Sequence, residues 1–277
     1  MDKIQYDKLI LTAILAAKRA GEAILEVYGS DFAVEQKDDK SPLTLADTRS
    51  HEIIADVLEQ TITVNNSTVP ILSEEGRDTP YEERKRWEYF WLVDPLDGTK
   101  EFIKRNGMFT VNIALMVKKG ARWSPLFGVV HAPVPNTTWL GGISHPSERR
   151  GSDGSGLMMV NPSNPPKPTR LVASGSHRGE KDESFAKTLG NYDLIRMGSS
   201  LKACIVAEGN ADLYPRFGPT SCWDIAAAHA VVVGAGGCVL GPTGKTLDYD
   251  VVDNILNPFF MVAADDRWNE QWIAHQD

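Results

Sequence analysis

Trp91-Leu92-Val93-Asp94-Pro95-Leu96-Asp97-Gly98-Thr99-Lys100-Glu101-Phe102 is the stretch on which the reading of this chain turns. The run Tyr89-Phe90-Trp91-Leu92-Val93 is continuously apolar, the pattern of a strand buried on both faces, and it stops at Asp94. Such a strand delivers two carboxylates, Asp94 and Asp97, into a turn. Gly98 lets that turn pass close to a ligand, and a short helix is expected to start just beyond it. Carboxylates at a strand end with no neighbouring His or Cys suit a hard cation that takes oxygen ligands, Mg2+ above all. The amides of Gly98 and Thr99 are placed to receive a phosphate oxygen. An Asp-Pro turn followed by an Asp N-cap would explain one aspartate readily and both less well.

Two further acidic positions gain meaning from this one. Ser73-Glu74-Glu75-Gly76 also follows a short apolar strand, Val69 to Leu72, and Trp223-Asp224-Ile225-Ala226 opens a helix rich in Ala and Val. Singly, Glu74 reads as a solvated loop acid and Asp224 as a helix-start acid favoured by the macrodipole. Their joint occurrence with Asp94 and Asp97 has no such explanation. Four carboxylates in one pocket would repel strongly unless divalent ions sat between them, and that cluster is what two-metal phosphoryl chemistry needs.

Helices and strands can be placed around these motifs. Apolar residues recur at helical spacing from Leu9 to Tyr28, ending at Gly29, and a second helix is expected from Thr44, after the breaker Ser41-Pro42. Thr110 to Val117, Leu126 to Ala132 and Thr137 to Leu140 read as a meander. Residues 1–143 are thus expected to form helices on an antiparallel sheet that carries most of the candidate ligands. Residues 144–168 are rich in Gly, Ser, Pro and Asn and mark the candidate boundary. From there to residue 277 strands and helices alternate: Leu171 to Ala173, Asp182 to Leu189, Tyr192 to Arg196, Ser199 to Glu208, Ala211 to Tyr214, Trp223 to Val233 and Cys238 to Leu240. That alternation argues for a partly parallel sheet with helices against it.

Composition excludes several classes. The 277 residues are 42% hydrophobic and 24% charged, enough for one large globular core or two packed ones. With 29 Lys and Arg against 37 Asp and Glu the formal charge is −8, which argues against a nucleic-acid polymer as partner. Cys204, Cys222 and Cys238 form no CxxC pair and sit in apolar stretches, so they read as reduced, buried thiols. No apolar run approaches the roughly 18 residues of a transmembrane span, and charges interrupt the first ten residues. The expected setting is the cytoplasm, with a peripheral place on the cytoplasmic face of the inner membrane left open, as is the oligomeric state.

The segments Leu72-Ser73-Glu74-Glu75, Asp94-Pro95-Leu96-Asp97-Gly98-Thr99 and Trp223-Asp224 resemble, in order and across nearly the whole chain, the metal motifs of the inositol monophosphatase superfamily of Mg2+-dependent, lithium-sensitive phosphatases. More narrowly, Thr99-Lys100-Glu101-Phe102-Ile103, Gly198-Ser199-Ser200-Leu201-Lys202 and Leu213-Tyr214-Pro215-Arg216-Phe217-Gly218-Pro219-Thr220 resemble the bacterial CysQ type, the 3'(2'),5'-bisphosphate nucleotidases. The resemblance implies a mixed α/β fold, an αβαβα layered sandwich. It implies that Glu74, Asp94, Asp97 and Asp224 bind metal through side chains and Leu96 through its carbonyl, with two or three Mg2+ per site.

The resemblance also implies a water-activating pair, Thr99 and Asp47. Thr44-Leu45-Ala46-Asp47 equally fits a capping box with its acid at N3, so Asp47 carries two readings, of which the resemblance favours catalysis. Ser174-Gly175-Ser176-His177 follows a strand, and related nucleotidases use a histidine here near the nucleotide, although a lone loop His more often faces solvent. Ser199, Ser200 and Lys202 lie at a helix start, and Lys202 and Arg216 are candidates for the phosphate that is not cleaved, against the alternative of surface solvation. With Glu74, Leu96, Asp97, Gly98, Thr99 and Asp224 they make up the expected substrate contacts. Two positions depart from the subfamily: Gly175 stands where a larger, often basic residue is usual, and Met108 where an acid is.

The implied reaction is hydrolysis of the 3'-phosphate of adenosine 3',5'-bisphosphate to AMP and phosphate, recycling a by-product of sulfate assimilation, with 3'-phosphoadenylyl sulfate as a further candidate substrate. An inositol or sugar monophosphatase would share the metal site and lack the second anion pocket. A non-catalytic nucleotide-sensing module would need only the carboxylates, and intact Asp47 and Thr99 count against it.

Overall fold

A strand that is apolar at every position must be covered on both sides, and Tyr89–Asp97 is. In the computed structural model, which describes residues 3–36, 42–60, 63–64, 67–159, 168–175, 179–252 and 255–276, its side chains alternate between two cores. Trp91 and Val93 face the helices Lys3–Tyr28 and Leu45–Glu59, which pack on each other and on one side of a seven-stranded sheet. Phe90 and Leu92 face the other side, against the helices Leu201–Ala207 and Cys222–Gly234. Those two helices are in turn covered by a second sheet through Val172, Tyr214, Val239, Phe260 and Val262. The far face of that sheet is closed by Glu180–Thr188 and Asn269–Ile273, with Phe185 and Trp272 fully buried. Helix, sheet, helix, sheet and helix follow one another, the αβαβα sandwich expected from the motifs.

The large sheet runs, in spatial order, Gly154–Leu157, His145–Gly151, Thr137–Gly142, Arg122–Ala132, Thr110–Lys119, Tyr89–Asp97 and Ile71–Ser73. Two features depart from the sequence reading. Residues 145–157, assigned by composition to a boundary, pair as an antiparallel hairpin that extends the sheet, because Gly and Ser in a strand tip are tolerated where one edge is free; residues 160–167 lie outside the described set. The sheet is also not wholly antiparallel, since Ile71–Ser73 pairs parallel to Trp91–Val93. Parallel neighbours need a crossover, and residues 74–88, with the short helix Tyr81–Arg84, supply it. The consequence is functional: Ser73 lies opposite Val93, so Glu74 and Asp94 leave the sheet at the same edge.

The second sheet has the order Tyr192–Met197, Thr169–Ser174, Leu213–Arg216, Phe260–Ala263 and Cys238–Leu240, parallel among the first three and antiparallel beyond. Phe260–Ala263 is a strand the sequence reading passed over. Of the cysteines, all free, Cys204 and Cys222 are buried as expected and Cys238 is half-buried. No helix among the described residues is long and apolar enough to cross a membrane.

Gly128 sets how closely Cys222–Gly234 can lie on the large sheet, because a Cβ there would stand 2.1 Å from the carbonyl oxygen of Ala227. Both atoms belong to packed backbone, so the helix must move away. Gly128→Ala is expected to cost about 1–3 kcal/mol by overpacking, a fall of several degrees in Tm, whereas the same change at Gly120, where nothing lies within 4 Å, should be limited to the strain of its positive φ. Equal thermal unfolding curves for Gly128→Ala and the parent would refute the close approach.

Candidate active site

The apolar strand ends in an irregular segment. Its register with Thr110–Lys119 slips between Asp94 and Asp97, where Pro95 has no amide hydrogen to give. The Asp94 carboxylate folds back to accept the Leu96 amide at 3.0 Å, an Asx-type turn. Gly98, at φ 94°, then turns the chain into the helix Thr99–Ile103. In this left-handed conformation a side chain would be strained, and a Cβ would lie 3.1 Å from the Met108 carbonyl.

Asp97 is held by a shell of donors. Its Oδ2 accepts from Ser199 Oγ at 2.7 Å, Ser200 N at 2.7 Å, Ser200 Oγ at 3.0 Å and Asn112 Nδ2 at 3.3 Å. Ser200 Oγ also lies 2.7 Å from the Asp224 carbonyl oxygen, tying the two acid-bearing segments together. Ser199 sits at φ 54°, a strained conformation for a residue with a side chain, and its hydroxyl bonds to both Asp97 and Thr110. Asp224 opens the helix Cys222–Gly234, and its Oδ2 accepts the Ser221 amide at 2.9 Å as the acid of a capping box.

Electrostatics marks the cluster. Burial, then the charges of Glu74, Asp97 and Asp224, push the Asp94 carboxyl well above the usual carboxylate range. Burial, then Asp97 and Glu74, do the same to Asp224. Two buried carboxyl groups, Asp94 and Asp224, pushed up by burial and by the acids beside them are a fitting donor set, with Glu74 and Asp97, for a hard divalent cation, whose charge would reverse that cost. Among the described residues no three acidic, His or Cys side chains already gather round one metal-sized point. Mutual repulsion opposes such a gathering, and Asp97 and Asp224 each have an oxygen engaged by serine donors.

Asp47 resolves its two readings by using both oxygens. Oδ2 accepts from Thr44 N at 2.8 Å and Thr44 Oγ1 at 2.7 Å, closing the cap of Leu45–Glu59, while Oδ1 accepts from Thr99 Oγ1 at 3.1 Å. Capping and the contact with Thr99 are therefore compatible in one side chain. Burial, with help from the charge of Glu75, raises the Asp47 carboxyl above its ordinary range, opposed by the Thr44 and Thr99 hydrogen bonds. Thr99 Oγ1 also approaches the Leu96 carbonyl at 3.4 Å.

From the carboxylates a cavity of about 160 Å³ runs toward the second sheet. Asp97, Gly98, Glu101 and Asp224 line it together with Ser199, Ser200, Lys202 and Arg216. Lys202 is buried, its Nζ donates to the Ser199 carbonyl at 2.6 Å and lies over the Tyr214 ring, and burial lowers its proton affinity. Arg216 donates from Nη2 to the Pro219 carbonyl at 3.1 Å, while its buried Nε has no partner among the described residues. Surface solvation is thus overturned for Lys202. His177 lies outside the described residues. Gly175 precedes it at the exposed end of Thr169–Ser174, with open space where a larger side chain would go.

The sequence reading missed Thr110 and Asn112, whose buried side chains complete the shell around Asp97: Thr110 Oγ1 donates to Asn112 Oδ1, and Asn112 Nδ2 to Ser200 Oγ at 2.8 Å. A signal existed, two polar residues spaced by two at the start of an otherwise apolar strand.

Comparison with known proteins agrees with this architecture. The model of the inositol monophosphatase family matches residues 5–276. A relative from Salmonella typhimurium named 3'(2'),5'-bisphosphate nucleotidase CysQ is 45% identical over 250 residues, 89% of this chain and 96% of its own. The crystal structure of CysQ from Bacteroides thetaiotaomicron superposes with a TM-score of 0.79 at 38% identity, covering 94% of this chain and 98% of that one. An inositol monophosphatase from Zymomonas mobilis shares the fold, with a TM-score of 0.74 at 22% identity over 100% of this chain and 99% of that one.

Two outcomes follow from the geometry. Thr44→Ala removes the cap and one hydrogen bond to Asp47 but leaves Asp47 a carboxylate beside Thr99, and should cost about 0.5–2 kcal/mol of stability, whereas Asp47→Asn keeps an acceptor for the cap but not a proton acceptor for Thr99, and should lower kcat about 100- to 10,000-fold. An Asp47→Asn enzyme as active as Thr44→Ala would reduce Asp47 to a cap. For Asp94 and Asp224 the folded-state proton affinity exceeds the unfolded one, so the stability it confers is full below the ordinary carboxylate pKa of about 4 and is lost as pH rises through the raised values. Metal-free protein should therefore lose Tm as pH rises, and Asp224→Asn should flatten that slope. Parallel Tm profiles for the two proteins would count against the coupling.

Proposed function

This chain belongs to the inositol monophosphatase family, and we propose that it is a Mg2+-dependent 3'(2'),5'-bisphosphate nucleotidase that removes the 3'-phosphate of adenosine 3',5'-bisphosphate. One observation carries the choice of substrate: a single cavity joins the carboxylate cluster to two cations, Lys202 and Arg216. A monophosphate needs only the carboxylate end. A bisphosphate presents a second anion to the cationic end, where the lone Arg216 Nε and the Lys202 ammonium can answer it by charge-assisted hydrogen bonds. The names borne by relatives at 45% identity point the same way. 3'-Phosphoadenylyl sulfate offers the same pair of anions and is a second substrate of the same class. Removing its 3'-phosphate, or that of the bisphosphate, would serve the turnover of sulfate-assimilation by-products, with residues 1–143 contributing most of the metal ligands and 144–277 contributing Asp224, Lys202 and Arg216.

Glu74, Asp94, Asp97, Asp224 and the Leu96 carbonyl would hold the two or three Mg2+. Bound there, Mg2+ supplies a lowered pKa for the attacking water and an offset for charge on the leaving 3'-oxygen. The chain's own part is proton handling and orientation. Thr99 Oγ1 donates to Asp47 Oδ1, which leaves its lone pairs free to accept from a water. As that water attacks, the Thr99 proton passes to Asp47 and the water's proton to Thr99, and a carboxylate raised by burial is the stronger base for it. The Gly98 and Thr99 amides and Ser199 are the candidates for contact with the phosphate, and His177 is the candidate for contact with the nucleoside. Asp97, held by three or four donors, keeps its orientation throughout.

Phosphate release from adenosine 3',5'-bisphosphate and from inositol 1-phosphate, each with Mg2+ and with excess chelator, tests the reading. Bisphosphate hydrolysis should dominate and require Mg2+. Lys202→Ala and Arg216→Ala should each lower kcat/KM for the bisphosphate by roughly 10- to 100-fold more than for a monophosphate, since each removes a contact remote from the cleaved bond. Equal losses on both substrates, or inositol 1-phosphate as the better substrate of the parent enzyme, would overturn the choice.

A further inference from the structure

The buried face of Leu45–Glu59 is a stripe at helical spacing: Asp47, Ser50, Ile54, Val57 and Leu58 are buried, with His51 half-buried beside them. Its lower part is apolar and packs in the core, but near the N-terminus Asp47, Ser50 and His51, beside the buried Ala46, are polar. Polar groups facing a core are retained only with partners, and each of these has one on a different segment. Asp47 takes Thr99. Ser50, fully buried, donates from Oγ to the Pro95 carbonyl at 2.6 Å, a group that the slipped register between Asp94 and Asp97 leaves without a ladder partner. His51 pairs through Nδ1 with Ser73 Oγ at 2.9 Å. The Ser73 carbonyl in turn accepts the Gly76 amide at 3.0 Å, closing the turn that carries Glu74 and Glu75, and the His51 ring lies 3.4 Å from where a Cβ on Gly76 would stand.

We infer that Ser50 and His51 are positioning residues for cation binding: one rigid helix face fixes the Asp94–Asp97 turn and the Ser73–Gly76 turn relative to each other and to Asp47. The two turns come from neighbouring strands, and the last backbone link between them is the Glu74 amide donating to the Val93 carbonyl at 3.1 Å. Beyond that bond the helix ties the two turns a second time, through Pro95 on one and Ser73 on the other. Carboxylates that repel one another drift apart unless their backbones are tied, and Ser50 and His51 supply ties at residues that are not ligands. The inference rests on the cation-dependent reading above but not on the identity of the substrate.

Mg2+ binding to the chelator-stripped full chain, by calorimetry without substrate, is the test. Ser50→Ala and His51→Ala should each weaken Mg2+ binding about 10-fold or more, with the metal-free Tm lowered by no more than about 4 °C. His51→Asn, whose amide can reach Ser73 as Nδ1 does, should recover most of the lost affinity. Unchanged affinity in both Ala variants, or a His51→Asn protein no better than His51→Ala, would overturn the inference. A parent protein that binds no Mg2+ would overturn the cation reading and this inference with it. The expected affinity pattern in an enzyme that leaves the bisphosphate intact would uphold the inference and refute the substrate.

Discussion

The repulsion among Glu74, Asp94, Asp97 and Asp224 is the constraint that this fold is arranged around. Burial and mutual charge raise Asp94 and Asp224 together, so each carboxylate adds to the cost of the others. A site of that kind persists only if the segments bearing it are fixed by packing that has nothing to do with the acids. Here that packing is two-sided: the strand Tyr89–Asp97 is clamped between two cores, and the helix that carries Asp224 lies against the large sheet at Gly128 with almost no clearance. The apolar run and the acidic turn are one device, a rigid stem with a charged tip.

Local donors then divide the work of holding each acid. Ser199, Ser200 and Asn112 surround one oxygen of Asp97, the Leu96 amide takes Asp94, and the Ser221 amide takes Asp224. All of these are neutral groups. A lysine or arginine in direct contact would lower the carboxylates' affinity for protons and also for a cation, whereas neutral donors orient them without competing. Lys202 bonds to the Ser199 carbonyl rather than to a carboxylate, which keeps its charge for the other end of the cavity.

What the sequence disclosed and what it withheld divide along the same line. The strand before Asp94, the capped helix at Thr44 and the helix opening at Trp223-Asp224 were legible because each depends on local pattern, an unbroken apolar run, a cap with an acid at N3 and an Ala- and Val-rich run, whereas the layer order came from the family resemblance. The parallel pairing of Ile71–Ser73 was not, since a three-residue strand carries no direction of its own and its partner is chosen by the crossover. The hairpin at 145–157 was hidden by Gly and Ser, which score as loop although an edge tolerates them. Asp47 was read as either cap or base because a sequence shows one carboxylate where the structure shows two oxygens. Thr110, Asn112, Ser50 and His51 were overlooked for a common reason: they act through other residues, and only their place on otherwise apolar faces betrayed them.

Net charge can now be set against the local field. A chain of formal charge −8 repels an anionic substrate at long range, yet the separation over which that matters is about 8 Å at physiological ionic strength. Inside the cavity the nearest charges decide. At one end the carboxylates attract cations, and cations in that position reverse the sign felt by a phosphate. Lys202 and Arg216, which line the same cavity, already have that sign, and the Arg216 Nε, without a partner among the described residues, is a buried donor whose cost is recovered when an acceptor arrives. A small anion with one phosphate satisfies half of this arrangement and leaves the donor orphaned. A molecule bearing two anionic groups, spaced by a nucleoside, satisfies both, and the preference is therefore built from unpaid desolvation at the far end as much as from attraction at the near one.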